Sequence, residues 1–228
     1  MCTFHLIRYF SVVFIESIES DVNFFVTLIM VHKWVGKTAV VTGASAGIGA
    51  AIFKDFAKAG INVIGLARRK EKVEVLIKEM GPWTKGKPYA FKCDVSDPKA
   101  VTETFKQIEA TVGVVHILVN NAGIVRNTCL LGDDEDAFSK VNEILDTNVR
   151  GLIQCTREAF RLMKKSDDYG LIININSIVG HSIPYSPYPL GAYPASKYAV
   201  TAINETLRQE LVKADNKKIR VSVSSVSA

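Results

Sequence analysis

Lys37-Thr38-Ala39-Val40-Val41-Thr42-Gly43-Ala44-Ser45-Ala46-Gly47-Ile48-Gly49 decides the fold. A short apolar strand runs straight into a glycine turn, and Ala50 to Lys58 continue as a helix closed by Gly60. The spacing is Gly-x-x-x-Gly-x-Gly, and no Gly-Lys-Ser/Thr follows, so the turn is not a P-loop. Glycine permits a tight turn and lets backbone N–H groups approach a pyrophosphate at a helix N-terminus, where the dipole favours negative charge. A ligand-free glycine turn would compete with that reading for the motif alone. Its position between a first strand and a helix favours a dinucleotide. Gly43, Ser45, Gly47, Ile48 and Gly49 are therefore candidate cofactor-binding residues.

Outward from this turn the same unit repeats. Ile61 to Leu66 predicts a second strand, and Val73, Leu76, Ile77 and Met80 recur at helical spacing until Gly81-Pro82 stops them. Pro88 to Lys92 predicts a third strand. Asp97 then serves as N-cap with Pro98 at the first helical position, and Val101, Phe105 and Ile108 form the buried face. Val114 to Val119 reads as a fourth strand, nearly all apolar, as strands buried on both faces are. A long helix from about Asp136 to Lys164, a fifth strand Leu171–Asn176, a helix Tyr193–Lys213 and a sixth strand Ile219–Val223 complete the pattern. Strands alternating with helices predict an α/β fold: a doubly wound, Rossmann-type parallel sheet flanked by helices, in one domain. Residues 33–228 form that domain, and residues 1–32 read as an atypical extension.

The extension carries two apolar stretches, Tyr9–Ile15 and Phe24–Met30, with Glu16, Glu19 and Asp21 between them. Those acids interrupt the roughly 20 continuous apolar residues that a spanning helix requires. A secretory signal would have only Arg8 as its positive region and no clean cleavage site after the apolar stretch. An appended segment is the plainer reading, with Met30 as an alternative start, and a cytoplasmic location is expected.

Of 228 residues, 48% are hydrophobic and 22% charged, which describes a packed globular protein rather than a disordered chain. The formal charge of +5 is scattered, with no run of five or six basic residues, so nucleic-acid binding has little support. An anionic cofactor is the simpler partner. Cys2, Cys93, Cys129 and Cys155 form no Cys-x-x-Cys pair, and His5, His32, His116 and His181 are equally dispersed. Neither a disulfide framework nor a metal site is expected.

The end of the second strand selects the cofactor. An acid there would bond the ribose 2′-hydroxyl of NAD, whereas arginine accommodates the 2′-phosphate of NADP. The chain reads Leu66-Ala67-Arg68-Arg69, so NADP is favoured, with Arg68 the stronger candidate and Arg69 beside it.

Ser177 lies at the C-terminal end of the fifth strand, and Tyr193 and Lys197 stand at i and i+4 on one helical face. A phenol ordinarily ionises near pH ~10, so exchanging protons near neutrality requires an adjacent cation, which Lys197 supplies. Ser177 can donate a hydrogen bond to a substrate oxygen as charge develops on it. These are the parts of an enzyme that moves a hydride between a nicotinamide and an alcohol or carbonyl carbon.

The glycine turn, Asn120-Asn121-Ala122-Gly123, Ser177 and Tyr193-Pro194-Ala195-Ser196-Lys197 together resemble the short-chain dehydrogenase/reductase family, from roughly Lys33 to Val223. Trp34–Val41, Gly65–Arg69, Cys155–Phe160, Ile172–Ser177 and Ser196–Thr201 are similar to its farnesol dehydrogenase-like group. The resemblance implies an NADP enzyme acting on an alcohol or ketone, with an isoprenoid or other lipophilic alcohol such as farnesol as substrate. It implies that Asp94 and Val95 hold the adenine, and that Asn120, Ala122 and Gly123 line the adenine ribose. It further implies that Tyr193 and Lys197 also contact the cofactor, Lys197 through the nicotinamide ribose, and that Asn148 is a fourth catalytic member supporting a water relay. A homo-oligomer, dimer or tetramer, built on the long helix and the tyrosine-bearing helix is implied too.

The chain departs from the family after its sixth strand, where Ser224-Ser225-Val226-Ser227-Ala228 stands in place of Pro-Gly, a substrate-covering lid and a last strand. On that reading the lid and last strand are missing, and the alternative function is a catalytically silent isoform that keeps the fold and binds cofactor or a partner subunit.

Overall fold

The computed structural model describes residues 32–131 and 135–226. The expectation for the N-terminal extension falls, except at His32, outside those residues. The described residues contain six strands: β1 Thr38–Thr42, β2 Asn62–Ala67, β3 Pro88–Lys92, β4 Ile117–Asn120, β5 Gly170–Ser177 and β6 Ile219–Val226. They form one parallel sheet in the order β3-β2-β1-β4-β5-β6. The order reverses direction between β1 and β4, which opens a crevice at their C-terminal ends.

The helices are α1 Gly47–Lys58, α2 Lys70–Met80, α3 Pro98–Val112, α4 Ala137–Leu145, α5 Leu152–Met163 and α6 Tyr193–Lys213. Alternation along the strands sorts the core into two layers. Ala39, Val41, Val63, Ile117 and Val119 pack with Phe53 and Phe56 of α1 and Val73 of α2. Val40, Ile64, Leu66, Leu118 and Ile172 pack on the other face with Phe105 and Ile108 of α3 and Cys155, Ala159 and Leu162 of α5. Truncating Phe105, fully buried, would cost about 3–5 kcal/mol.

Three local differences from the sequence expectation have physical causes. The long helix before β5 is divided by a π turn, Asp146–Gly151, between α4 and α5. Asn148 in that turn is bonded to the backbone of Ile124 on both its N–H and its carbonyl, a tie no helical periodicity could reveal. β4 starts three residues later than the apolar run, since parallel pairing begins at Ile117. β6 extends through Val226 because all eight of its residues pair with the eight of β5. Among the described residues β6 has no partner on its outer side.

Candidate functional site

A cleft of about 320 Å³ lies over the C-terminal ends of β1, β2, β3 and β4. Its walls include Gly43, Ser45, Ala46 and Ile48 from the turn after β1, Arg68 and Arg69 after β2, and Asp94 and Val95 after β3. Asn121, Ala122 and Gly123 after β4, with Thr147 of the π turn, complete it.

The turn is held open by backbone geometry. Gly43 and Gly47 take positive φ, 68° and 55°. Gly49 sits so close to the turn that a Cβ there would lie 2.4 Å from the Asn121 amide nitrogen and 2.5 Å from the Gly43 carbonyl oxygen. α1 begins at Gly47 with no side-chain cap on Ala46 and no acid in its first turn. Its orphan N–H groups and dipole therefore suit an anion. Arg68 and Arg69 are exposed, and among the described residues neither guanidinium has an ion pair or hydrogen bond. An uncapped helix start facing two unpaired arginines fits a pyrophosphate with a further phosphate nearby.

Asp94 commits Oδ1 to the N–H and hydroxyl of Ser96, at 3.0 and 2.7 Å, which holds its carboxylate at the cleft wall. The asparagine pair after β4 divides its labour. Asn120 is buried beneath the cleft, and its amide donates to Thr156 Oγ1 at 2.8 Å and Asn174 Oδ1 at 2.9 Å. Asn120 thus braces β4, β5 and α5, and Asn121, absent from the sequence candidates, supplies the cleft wall. Asn121 Nδ2 donates to Thr42 O at 2.9 Å. Thr42 Oγ1 accepts the N–H groups of Asn121 and Ala122, stapling this loop to β1.

Beyond the cleft stand Ser177 at the end of β5 and the first turns of α6. Pro194 is accommodated in the first turn of α6, where its missing N–H leaves no bond unmade. Lys197 is 8% exposed, and its ammonium donates to Ile175 O at 3.0 Å, two residues before Ser177. The same nitrogen lies 5.8 Å from the centroid of the Tyr193 ring. Ser177 Oγ accepts from Val179 N at 3.4 Å, which leaves its hydroxyl hydrogen able to donate elsewhere.

Asn148, 2% exposed, gives both amide hydrogens away, to Ile124 O and to Ser196 Oγ at 3.0 Å, and accepts Ile124 N at 2.8 Å. Ser196 in turn donates to Tyr193 O at 2.6 Å. The Asn148 side chain links the loop after β4 to the tyrosine-bearing turn, with both of its amide hydrogens committed.

Burial pushes the Lys197 ammonium down from its ordinary 10.5 to about 8. Between those two values the unfolded chain holds a proton that the folded chain has lost, so stability rises with pH from about 8 to 10.5. Below that window Lys197 opposes folding by on the order of 3 kcal/mol. Lys197→Met is therefore expected to raise the melting temperature near neutral pH by roughly 4–8 °C, after allowing for the lost bond to Ile175. The variant's advantage should shrink as pH rises from about 8 and be gone above about 10.5, where only the lost bond to Ile175 separates the two proteins. Melting curves across pH check this, and a variant no more stable than the parent would contradict it.

Burial also pushes the thiols of Cys93 and Cys155 up, so neither is a nucleophile at neutral pH. Among the described residues no cluster of three His, Cys, Asp or Glu could hold a metal, and no helix is long and apolar enough to cross a membrane.

Comparison with known proteins agrees with this geometry. A family model described as short chain dehydrogenase matches residues 37–227. Farnesol dehydrogenase of Aedes aegypti is 51% identical over 195 residues, covering 86% of this chain and 77% of that protein. A metagenomic short-chain oxidoreductase crystallised with NADP superposes with a TM-score of 0.74 at 29% identity, over 84% of this chain and 82% of that one. A short chain dehydrogenase/reductase from Burkholderia phymatum crystallised with NAD gives 0.75 at 25% identity, over 85% and 66%.

Proposed function

Because this chain belongs to the short-chain dehydrogenase/reductase family and is an oxidoreductase on that ground, we propose that it uses NADP to interconvert a lipophilic alcohol and its carbonyl compound, with farnesol the first candidate. The cofactor, when bound, supplies or accepts the hydride. The chain's own residues do the rest. The N–H groups at the start of α1 hold the pyrophosphate, and Arg68, with Arg69, takes the 2′-phosphate. Asp94 and Val95 take the adenine, and Ala122 and Gly123, beside Asn121, take its ribose.

Tyr193 exchanges a proton with the substrate oxygen, Ser177 donates a hydrogen bond to that oxygen, and Lys197 keeps positive charge beside the phenol. Asn148 acts as a support, fixing the loop after β4 against the first turn of α6. The observation that carries this reading is the buried Lys197 ammonium close to the Tyr193 ring on a shared helical face. The identity to an enzyme named for farnesol supports the substrate class, and two unpaired arginines after β2 support NADP over NAD.

The same reading makes the protein a dimer or tetramer. α4 exposes Phe138 at 76% and α6 exposes Val212 at 68%, apolar area that a second copy would cover.

Fluorescence titration with NADPH and NADH tests the cofactor half of the proposal. NADPH should bind at least tenfold more tightly, the smaller end of what a charged hydrogen bond contributes. Equal affinities would remove NADP from the account.

A further inference from the structure

A second set of contacts, outside the cleft, joins the end of β5 to α6. Asn176 is 1% exposed, and its Nδ2 donates to Thr201 Oγ1 at 2.9 Å. The Thr201 hydroxyl donates onward to Gly180 O at 2.9 Å. Gly180 ends the short 3₁₀ turn Ile178–Gly180 that begins directly after Ser177. No side chain fits at Gly180: a Cβ would lie 2.7 Å from both amide heavy atoms of Asn176 and from Lys197 O. Either side of this contact, Lys197 Nζ donates to Ile175 O at 3.0 Å and Tyr198 Oη donates to His181 O at 2.7 Å.

The segment from Ile175 to His181 is thus tied to Lys197, Tyr198 and Thr201 on both sides of Ser177. Asn176 and Ser177 are adjacent on a strand and point to opposite faces, so fixing one amide on α6 sets the direction of the neighbouring hydroxyl. Among the described residues Asn176 Oδ1 has no hydrogen-bond partner, although it is buried. An apolar residue would avoid that destabilisation, and such local conflicts collect where geometry serves a site.

We infer that Asn176 and Thr201 are positioning residues for the reaction, holding Ser177 at a set distance and direction from Tyr193 and Lys197. Neither touches the cofactor cleft. The inference rests on the oxidoreductase reading, in which Ser177 and Tyr193 share one substrate oxygen and Lys197 holds charge beside the phenol.

Thr201→Val keeps the volume and deletes the hydroxyl that serves as both acceptor and donor, while Thr201→Ser restores the hydroxyl. Asn176→Ala removes the donor alone and serves as the second variant should Thr201→Val fold poorly. Two measurements separate the inference from the reading beneath it. The first is amide hydrogen exchange, read by mass spectrometry over residues 178–182. Thr201→Val should exchange there faster by roughly tenfold or more, with distant β1 and β4 unchanged and Thr201→Ser close to the parent.

The second is oxidation of farnesol with NADP. Here kcat should fall by roughly tenfold or more in Thr201→Val, since small misplacements are costly, with NADPH affinity within about twofold and Thr201→Ser restoring turnover. Unchanged exchange in both Thr201→Val and Asn176→Ala overturns the inference. So does a loss of NADPH affinity in proportion to kcat, or a serine variant as impaired as the valine one. If the parent protein oxidises no alcohol, the functional reading fails, and the exchange measurement alone decides whether the joint holds.

Discussion

Tyr193→Phe is expected to lower turnover by roughly 10²–10⁴-fold, the usual contribution of a positioned acid/base, while NADPH affinity stays within about twofold. The aromatic ring, its packing and the nearby Lys197 nitrogen are all retained, and only the oxygen that exchanges the proton is lost. In mutant kinetics this is the pattern of an interaction made in the transition state rather than with bound cofactor. Steady-state rates with farnesol and NADP, paired with a binding titration, give both numbers. A phenylalanine variant that keeps most of its turnover would assign the proton transfer elsewhere.

Arg68→Asp should reverse the cofactor preference. Removing one charged hydrogen bond to a phosphate costs about 1.5–3 kcal/mol, or roughly 10–150-fold in NADPH affinity, and the introduced carboxylate repels the phosphate as well. The same carboxylate can accept from the ribose 2′-hydroxyl, so NADH should bind more tightly than it does to the parent. Because Arg68 is exposed and has no ion pair among the described residues, the substitution leaves no partner stranded and melting should change little. Unaltered affinities for both cofactors would show that Arg68 does not reach the phosphate. Arg69 would then be the residue to change.

The glycine turn and the strand pattern were legible in the sequence because both are local. A turn needing positive φ at Gly43 and Gly47 is written in neighbouring residues, and so is a strand buried on both faces. The division of labour between Asn120 and Asn121 was not. Two identical residues in succession face opposite ways, and Asn120 is claimed by Thr156 and Asn174, 36 and 54 positions away. The π turn at Asn148 was hidden for the same reason, since its cause is a loop residue 24 positions earlier. Nor could spacing suggest that Thr201 closes on Gly180, because that contact depends on how α6 crosses the end of β5. The serine-rich end of β6 carries little apolar signal, and its last residues are strand because β5 offers a backbone partner at each position.

On the proposed reading, hydride passes between a nicotinamide and the carbinol carbon of a lipophilic alcohol at Tyr193, Ser177 and Lys197. Farnesol carrying deuterium at both carbinol hydrogens, incubated with the protein and NADP, checks this, with the reduced cofactor and the product analysed by mass spectrometry. One deuterium is expected on the reduced nicotinamide for each aldehyde formed, with neither product above background for Tyr193→Phe. Reduced nicotinamide without deuterium, or aldehyde formed equally well by the Tyr193→Phe variant, would contradict it.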